Sequence, residues 1–220
     1  MRSWPTGGLI LGFAAAALSS APGLADGLDG RPLGRFTLTY YNVAQERGGG
    51  DLPVFGPGCR HVIARTGRDF HDGLSLQGTG FLADGRLLNF EQRCSCALAG
   101  HGGTRSCYRE LDRSQFPWGR GAYWKGQFLW LQPFRSVAVD PAIVAIGSVL
   151  YVPELAGYPL PDGTLSNGCV RAEDTGIAIQ GRHLDWFVGQ PPDGSWLRKR
   201  PPPRQVTVFA DSRRCAKAFP

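Results

Sequence analysis

The sequence lacks a hydrophobic run long enough to span a bilayer as a helix. Its N-terminal apolar run, residues 9–18, is shorter than the ~20 residues that a transmembrane helix needs. The run follows a basic residue, Arg2, and precedes the small-x-small sequence Gly23-Leu24-Ala25. Residues 1–25 are therefore predicted to be a cleaved secretory signal peptide. No cysteine lies near the predicted cleavage site, which argues against a lipid-anchored mature N-terminus.

Helical periodicity, internal repeats and linkers are also almost absent, so residues 26–220 are predicted to form a single domain. Short strand-like runs at residues 74–81, 86–90 and 127–132 are separated by Gly and Asp turns. This pattern indicates an all-β barrel or sandwich. Helical turns are expected only at residues 109–114 and after Pro141. The Pro- and Arg-rich residues 191–204 are predicted to be an extended surface segment before a last strand.

The charge is only mildly unbalanced, with 24 Lys and Arg against 18 Asp and Glu and a net charge of +6. This excess would suit an acidic partner, but it would equally serve solubility alone. Nucleic acid is not expected as a partner, because export removes the chain from it.

The six cysteines all follow the predicted signal peptide, at positions 59, 94, 96, 107, 169 and 215. An even number in an exported chain predicts disulfides, in a pairing that the sequence does not determine. An alternative is a zinc site formed by the thiolates of Cys94, Cys96 and Cys107 with the imidazole of His101. The spacing fits no common zinc motif, and an oxidising compartment favours disulfides.

Three carboxylates fall at strand ends or on a strand face. One predicted strand ends at Asp140, where Pro141 prevents its continuation, and another ends at Asp174 before Thr175-Gly176. A third strand alternates, with His183, Asp185 and Phe187 on one face. Taken alone, Asp140 and Asp174 are also ordinary turn-starting residues.

The motifs V-A-V-D-P, A-E-D-T-G and G-x-H-x-D-x-F-x-G occur in this order over residues 135–189, which resembles the three-aspartate, or 3D, domain. Residues 37–45 resemble the first barrel strand of that family more weakly. The family is found in bacterial cell-wall proteins and in the C-terminal part of membrane-bound lytic transglycosylase A. The resemblance implies a six-stranded double-psi β-barrel, in which residues 48–58 and the Cys-containing residues 94–107 are loop insertions. The expected strands are residues 37–43, 135–140, 148–152, 168–174, 183–188 and 205–210.

The resemblance also implies a secreted lytic transglycosylase that cleaves the bond between N-acetylmuramic acid and N-acetylglucosamine in peptidoglycan. Asp185 matches the family's catalytic acid, with Asp174 and Asp140 as supporting carboxylates. An acid of this kind must be protonated near neutral pH, and burial or a nearby carboxylate raises its pKa accordingly. The reaction needs no metal and no organic cofactor. We expect a monomer whose partners are peptidoglycan glycan strands.

Further residues of the matched motifs are expected to bind the substrate: Thr39, Tyr41, Gln45, Thr175, Gly176 and His183. We expect His183 to orient its neighbours, because the mechanism asks for no imidazole base. Where the family commonly reads D-T-G-G-x-I-K-G, this chain lacks the second glycine and has Gln180 in place of the lysine. The lost lysine removes a contact to acidic parts of the substrate.

Two other functions fit the same residues. One is hydrolysis of another glycan, with Asp185 as the acid and Asp140 or Asp174 as the base. The other is a non-catalytic wall-binding module similar to expansin or barwin domains, in which Trp118, Trp124 and Trp130 stack on sugar rings. Each of these tryptophans could equally belong to the core.

Overall fold

The computed structural model describes residues 29–97, 104–190 and 196–219, which contain fourteen strands and two α-helices. In chain order the elements are β1 (Arg31–Tyr41), β2 (Ala44–Gln45), β3 (Leu52–Phe55), β4 (Val62–Thr66), α1 (Arg68–Gln77), β5 (Thr79–Phe81), β6 (Leu87–Cys96), β7 (Thr104–Leu111), β8 (Arg120–Trp124), β9 (Gln127–Trp130), β10 (Ser136–Val139), β11 (Val149–Pro159), β12 (Leu165–Asp174), β13 (His183–Phe187), α2 (Trp196–Lys199) and β14 (Gln205–Ala210).

Six of these strands close a barrel in the order β1-β13-β10-β12-β11-β14. Two pairs, β1–β13 and β10–β12, are parallel, and the antiparallel pairing of β1 with β14 completes the ring. The prediction of an all-β fold with a six-stranded barrel is confirmed. Each barrel strand overlaps one of the six ranges expected from the sequence, because these strands alternate between apolar and polar residues.

Apolar residues at every second position fill the barrel. On β10, Val137 and Val139 are completely buried, whereas the intervening Ala138 does not belong to the core cluster. On β13, Leu184 and Trp186 are completely buried and alternate with Asp185. Inward-facing side chains come from all six strands, including Phe36, Leu38, Val137, Val139, Leu150, Val152, Val170, Ala172, Leu184, Trp186, Val206 and Val208.

A second sheet, with the order β2-β5-β6-β7, packs on the outside of the barrel. Phe187, which points out of the barrel, is completely buried in a cluster with residues of this sheet and its flanks. The cluster consists of Val43, Phe81, Leu87, Leu111, Leu131 and Phe187. The weak match over residues 37–45 therefore crosses two sheets, since β1 ends at Tyr41 and Gln45 lies in β2. The hairpin β3–β4 and helix α1 also lie outside the barrel.

The strand predicted at residues 74–81 is wrong, because helix α1 occupies residues 68–77 and only Thr79–Phe81 is a strand. The helix buries Phe70 and Leu74, one turn apart, and ends at Gly78, whose φ of 74° suits a left-handed C-cap. Leu76, which made the run look alternating, is 81% exposed.

The helical turn predicted at residues 109–114 is also wrong, because β7 continues to Leu111 before a turn begins at Asp112. After Pro141 the chain makes a single turn in which Val144 N donates to Asp140 O. In the segment predicted to be extended, Trp196–Lys199 forms the short helix α2.

The structure pairs all six cysteines as Cys59–Cys96, Cys94–Cys107 and Cys169–Cys215. The disulfide prediction is confirmed, and the zinc hypothesis is wrong because its three cysteines are oxidised. His101 and the predicted signal peptide lie outside the described residues. No helix in the described part of the chain is both long and apolar enough to cross a membrane.

Candidate active site

A row of side chains crosses four strands on the outer face of the barrel. Thr39 on β1 pairs with Asp185 on β13, which pairs with Ala138 on β10, which in turn pairs with Asp174 on β12. Directly paired residues point to the same face of a sheet. The two aspartates thus lie on either side of Ala138, two strand spacings or about 10 Å apart at their Cα atoms. Ala138, whose side chain is a single methyl group, is the residue between them in this row.

An irregular register between β10 and β12 brings Asp174 into this row. Val137 pairs with Ala172, but the next residue, Ala138, pairs with Asp174, so that Glu173 is left without a paired residue. A β-bulge of this kind changes the direction of the side chains beyond it. Asp174 consequently shares a face with Ala138, and Glu173 is completely buried.

Asp185 accepts a hydrogen bond from a hydroxyl group that is itself bound to an imidazole. Thr39 Oγ1 donates to Asp185 Oδ1 at 2.5 Å, and His183 Nε2 lies 2.8 Å from the same Oγ1. Because the hydroxyl proton is used for the carboxylate, His183 Nε2–H acts as donor to Thr39. Burial raises the pKa of Asp185, while the Thr39 hydrogen bond and the charge of His183 oppose the rise.

Asp174 is held by one side chain and one backbone amide. Tyr41 Oη donates to Asp174 Oδ2 at 2.8 Å, and Thr175 N donates to Oδ1 at 2.8 Å. Burial raises the pKa of Asp174 to about 6 despite these hydrogen bonds, and the neighbouring Asp185 adds to the rise. The pKa of Tyr41 is raised well above its usual value by burial and by Asp174.

Asp140 differs from the other two aspartates, because its carboxylate caps backbone amides. Gly181 N donates to Oδ2 at 2.6 Å and Ala142 N donates to Oδ1 at 2.9 Å. These hydrogen bonds lower the pKa of Asp140. Its carboxylate therefore stays ionised and ties the end of β10 to the turn that leads into β13.

Glu173 is a buried carboxyl group that the sequence analysis missed. It is 0% exposed, and the Ser136 hydroxyl contacts its Oε2. Arg171 Nη1 lies 3.6 Å from its Oε1. Burial raises the pKa of Glu173, and Ser136 and Arg171 act against the rise. The only signal in the sequence was its position immediately before Asp174.

The remaining predicted binding residues lie in two places. Thr175 and Gly176 are exposed in the turn that follows Asp174. Gln45 lies in the second sheet, and its buried Nε2 has no hydrogen-bond partner among the described residues. Gln180, at the position of the family's lysine, donates from Nε2 to Ile177 O and so closes the exposed turn on itself.

The three tryptophans considered for sugar stacking have different surroundings. Trp118 meets the Phe81 ring edge-on, with 6.1 Å between the ring centroids. Trp124 packs against Gly147 and lies 5.2 Å from the guanidinium carbon of Arg171. Trp130 is 47% exposed. Of the three, Trp130 has the largest free surface.

Comparison with known proteins agrees with the architecture. Residues 135–194 match the family model of the 3D domain. No curated protein sequence is significantly similar to this chain. A membrane-bound lytic murein transglycosylase from Agrobacterium tumefaciens shares the fold with a TM-score of 0.57 and 14% identity, covering 86% of this chain and 76% of that chain. MltA from E. coli, in a crystal structure with bound chitohexaose, gives a TM-score of 0.52 and 14% identity over 80% of this chain and 71% of that chain.

These alignments cover more of the chain than the barrel strands alone. At 14% identity the similarity shows a common fold only. The chemistry depends on which residues this chain has at the site. Over residues 135–194 the chain is thus similar to the 3D-domain family, and its fold is similar to that of the MltA-type lytic transglycosylases.

Proposed function

We propose that this protein is a lytic transglycosylase that cleaves the glycan strands of peptidoglycan. The observation that carries the proposal is the row formed by Asp185, Ala138 and Asp174, in which both carboxyl groups have a raised pKa. A raised pKa favours the protonated form of the carboxyl group, which is the form that a general acid requires. The solved neighbours with this fold are described as lytic transglycosylases.

In the proposed reaction Asp185 acts twice. As an acid it donates its proton to the oxygen that links N-acetylmuramic acid to N-acetylglucosamine, and this bond breaks. As a carboxylate it then removes the proton from the 6-hydroxyl of the muramoyl sugar. The hydroxyl oxygen bonds to C1 and forms a 1,6-anhydro ring, and the proton is back on Asp185. The cycle consumes no water and requires neither a metal nor a cofactor.

Thr39 and His183 assist Asp185 in this scheme. When Asp185 has lost its proton, the hydroxyl of Thr39 stabilises the new carboxylate through the 2.5 Å hydrogen bond. His183 orients that hydroxyl by donating to its oxygen at 2.8 Å. Asp174 raises the pKa of Tyr41, which keeps the tyrosine hydroxyl a hydrogen-bond donor beside the row, and Asp140 holds the turn before β13.

Substrate contacts are assigned to the groups that surround the row. The exposed Thr175 and Gly176 border Asp174, and Tyr41 lies between the row and the second sheet. The amide nitrogen of Gln45 is buried and unpaired among the described residues, so it would donate to a sugar only after its side chain turns outward. These groups, with Thr39 and His183, would hold the N-acetyl and hydroxyl groups of the sugars by hydrogen bonds.

Export and a wall location complete the proposal. Residues 1–25 would be removed as a signal peptide, and residues 26–220 would act as one domain and as a monomer in the cell envelope. Three disulfides support this, because such bonds persist in oxidising compartments.

Hydrolysis is the second candidate, and Asp174 is the reason for it. A pKa of about 6 makes Asp174 a carboxylate at neutral pH that could activate a water molecule opposite Asp185. Product chemistry separates the two reactions, because transglycosylation leaves anhydro ends and hydrolysis leaves reducing ends.

The test is mass spectrometry of purified peptidoglycan after incubation with residues 26–220. We expect 1,6-anhydromuropeptides, and none with Asp185→Asn. Reducing ends alone would replace the proposal by hydrolysis. If the protein sediments with the wall and releases no product, the non-catalytic binding module is the better description.

A further inference from the structure

One face of the β8–β9 hairpin carries three exposed aromatic rings. Tyr123 is 61% exposed, Phe128 41% and Trp130 47%. Tyr123 pairs with Phe128 across the hairpin, and Trp130 follows Phe128 by two residues, so all three point the same way. We call these three residues the aromatic face. Of the three, only Trp130 was expected from the sequence as a residue that could stack on a sugar ring.

The opposite face of the hairpin attaches it to the rest of the protein. Leu129 is 4% exposed. Trp124 packs so closely on Gly147 that a Cβ there would lie 2.4 Å from the Trp124 ring. The aromatic face is therefore not needed to bury the hairpin.

The base of the hairpin is fixed next to the candidate active site. Gly121 lies against the backbone of Glu173, and a Cβ on it would be 2.1 Å from Glu173 O. Arg120 N donates to Asn89 Oδ1 at 2.9 Å, and Arg120 Nη2 forms an ion pair with Glu91 at 2.7 Å. Tyr123 is two residues from Gly121, about 7 Å along the strand. The aromatic face thus begins close to the residue that precedes Asp174.

We propose that the aromatic face is an outer sugar-binding subsite for the glycan strand that is cleaved at Asp185. This inference rests on the proposed function. A pyranose ring presents apolar C–H groups on its faces and polar groups on its edge, and a flat exposed aromatic ring complements such a face. A cluster of exposed large apolar side chains is a mark of a binding surface. Because the hairpin is fixed at its base, little conformational entropy is lost when it binds a sugar.

The charges near the aromatic face fit the same partner. Lys125, in the hairpin turn, lies 4.4 Å from the Trp124 ring, and the Arg120 guanidinium lies 3.9 Å from the Phe128 ring. Peptidoglycan strands carry carboxylate-bearing peptides, which Lys125 would attract, whereas Arg120 is already paired with Glu91 and packs on the Phe128 ring. An N-acetylated glycan strand with acidic substituents is therefore the occupant that the surface fits.

The test measures chitohexaose affinity by calorimetry in the Asp185→Asn background, which prevents turnover. We expect Trp130→Ala and Tyr123→Ala each to weaken binding about 3- to 10-fold. Leu76→Ala is the matched control, because Leu76 is an 81% exposed apolar residue on α1, and it should bind like the background protein. Thermal melting monitors folding, and Tyr123→Ala carries the test if Trp130→Ala does not fold.

Each failure has its own signature. If the Asp185→Asn protein binds no chitohexaose, the proposed glycan function fails and the subsite fails with it. If that protein binds and the aromatic variants bind equally well, only the subsite is wrong. A parent dimer that Trp130→Ala converts to monomer in sedimentation velocity would overturn the subsite and make the aromatic face a contact between copies.

Discussion

At the residue scale, Asp185 and Asp174 differ in how their carboxyl groups are bound. Asp185 accepts from a threonine hydroxyl on the neighbouring strand, whereas Asp174 accepts from a tyrosine and from the next backbone amide. The pKa of both groups is raised by burial, and only Asp185 has an imidazole linked to its hydrogen-bond donor. In the proposed function, this difference is the reason for assigning proton transfer to Asp185.

Asp185→Asn tests the acid directly. The amide keeps the shape of the carboxyl group but cannot transfer the proton, so kcat should fall by about 10²- to 10⁴-fold while wall binding persists. Peptidoglycan turnover and co-sedimentation are measured together. Asp72→Asn, whose side chain is 68% exposed on α1, is the control and should act like the parent. Equal turnover by Asp185→Asn and the parent would exclude Asp185 as the acid.

Thr39→Val tests the hydrogen bond that lowers the pKa of Asp185. Without the hydroxyl, the ionised carboxylate is less stable and the pKa of Asp185 rises further. Activity that needs protonated Asp185 should then persist to higher pH. The kcat should be lower, because the carboxylate that forms when Asp185 gives up its proton is no longer stabilised by the hydroxyl. The pH dependence of kcat is measured. Thr39→Ser keeps a hydroxyl and should keep the parent profile; an unshifted profile for Thr39→Val would contradict the role.

Asp174→Asn tests the cost of a half-buried carboxylate. The folded-state pKa of about 6 exceeds the usual value of 3.8, so the folded protein binds the proton more tightly. The stability from this group is present below pH 4 and is lost as the pH rises through about 6. As the pH rises from 4 to 8, the free energy of unfolding of Asp174→Asn should increase by about 1 to 3 kcal/mol relative to that of the parent. Urea unfolding at both pH values measures this, and a constant difference would refute it.

At the element scale, the contact between the β8–β9 hairpin and β12 positions Asp174. Gly121→Ala places a methyl group against Glu173 O, where 2.1 Å leaves no room. We expect a loss of about 1 to 3 kcal/mol of stability and a lower kcat, because the hairpin or the bulge must move. Gly48→Ala is the control, since nothing lies within 4 Å of a Cβ there. If Gly121→Ala melts and turns over substrate like the parent, the close approach of Gly121 to Glu173 is not needed for stability or activity.

The barrel strands were predictable, and the bulge that completes the row of the candidate active site was not. Alternation along residues 183–188 predicts that Asp185 faces away from the core, because Leu184 and Trp186 face it. The burial of Glu173 depends instead on the register with β10, which is a property of two strands together. Likewise, Asp174 meets Tyr41 from 133 residues away. Helix α1 was missed because the exposed Leu76 imitates strand alternation.

At the scale of the whole molecule, the disulfide Cys169–Cys215 joins β12 to the tail that follows β14. Replacing both cysteines by serine opens a loop closed over 46 residues and should cost about 2 to 4 kcal/mol. Urea unfolding under non-oxidising and oxidising conditions measures the change. Reduction should lower the midpoint of the parent and affect the double variant less, since it has lost this bridge already. An unchanged midpoint in the double variant would show that tail packing alone is sufficient.

The pairing of the first barrel strand with the last has a consequence for biosynthesis. Thr39 reaches Asp185 only when β1 lies beside β13, and the ring closes only when β14 lies beside β1. Contacts over such long sequence separations form late in folding. If the chain is threaded through a membrane from its N-terminus, no partial product that lacks residues 205–210 can close the barrel. A wall-degrading activity would then stay silent during synthesis and translocation, and it would begin only after the last strand has crossed.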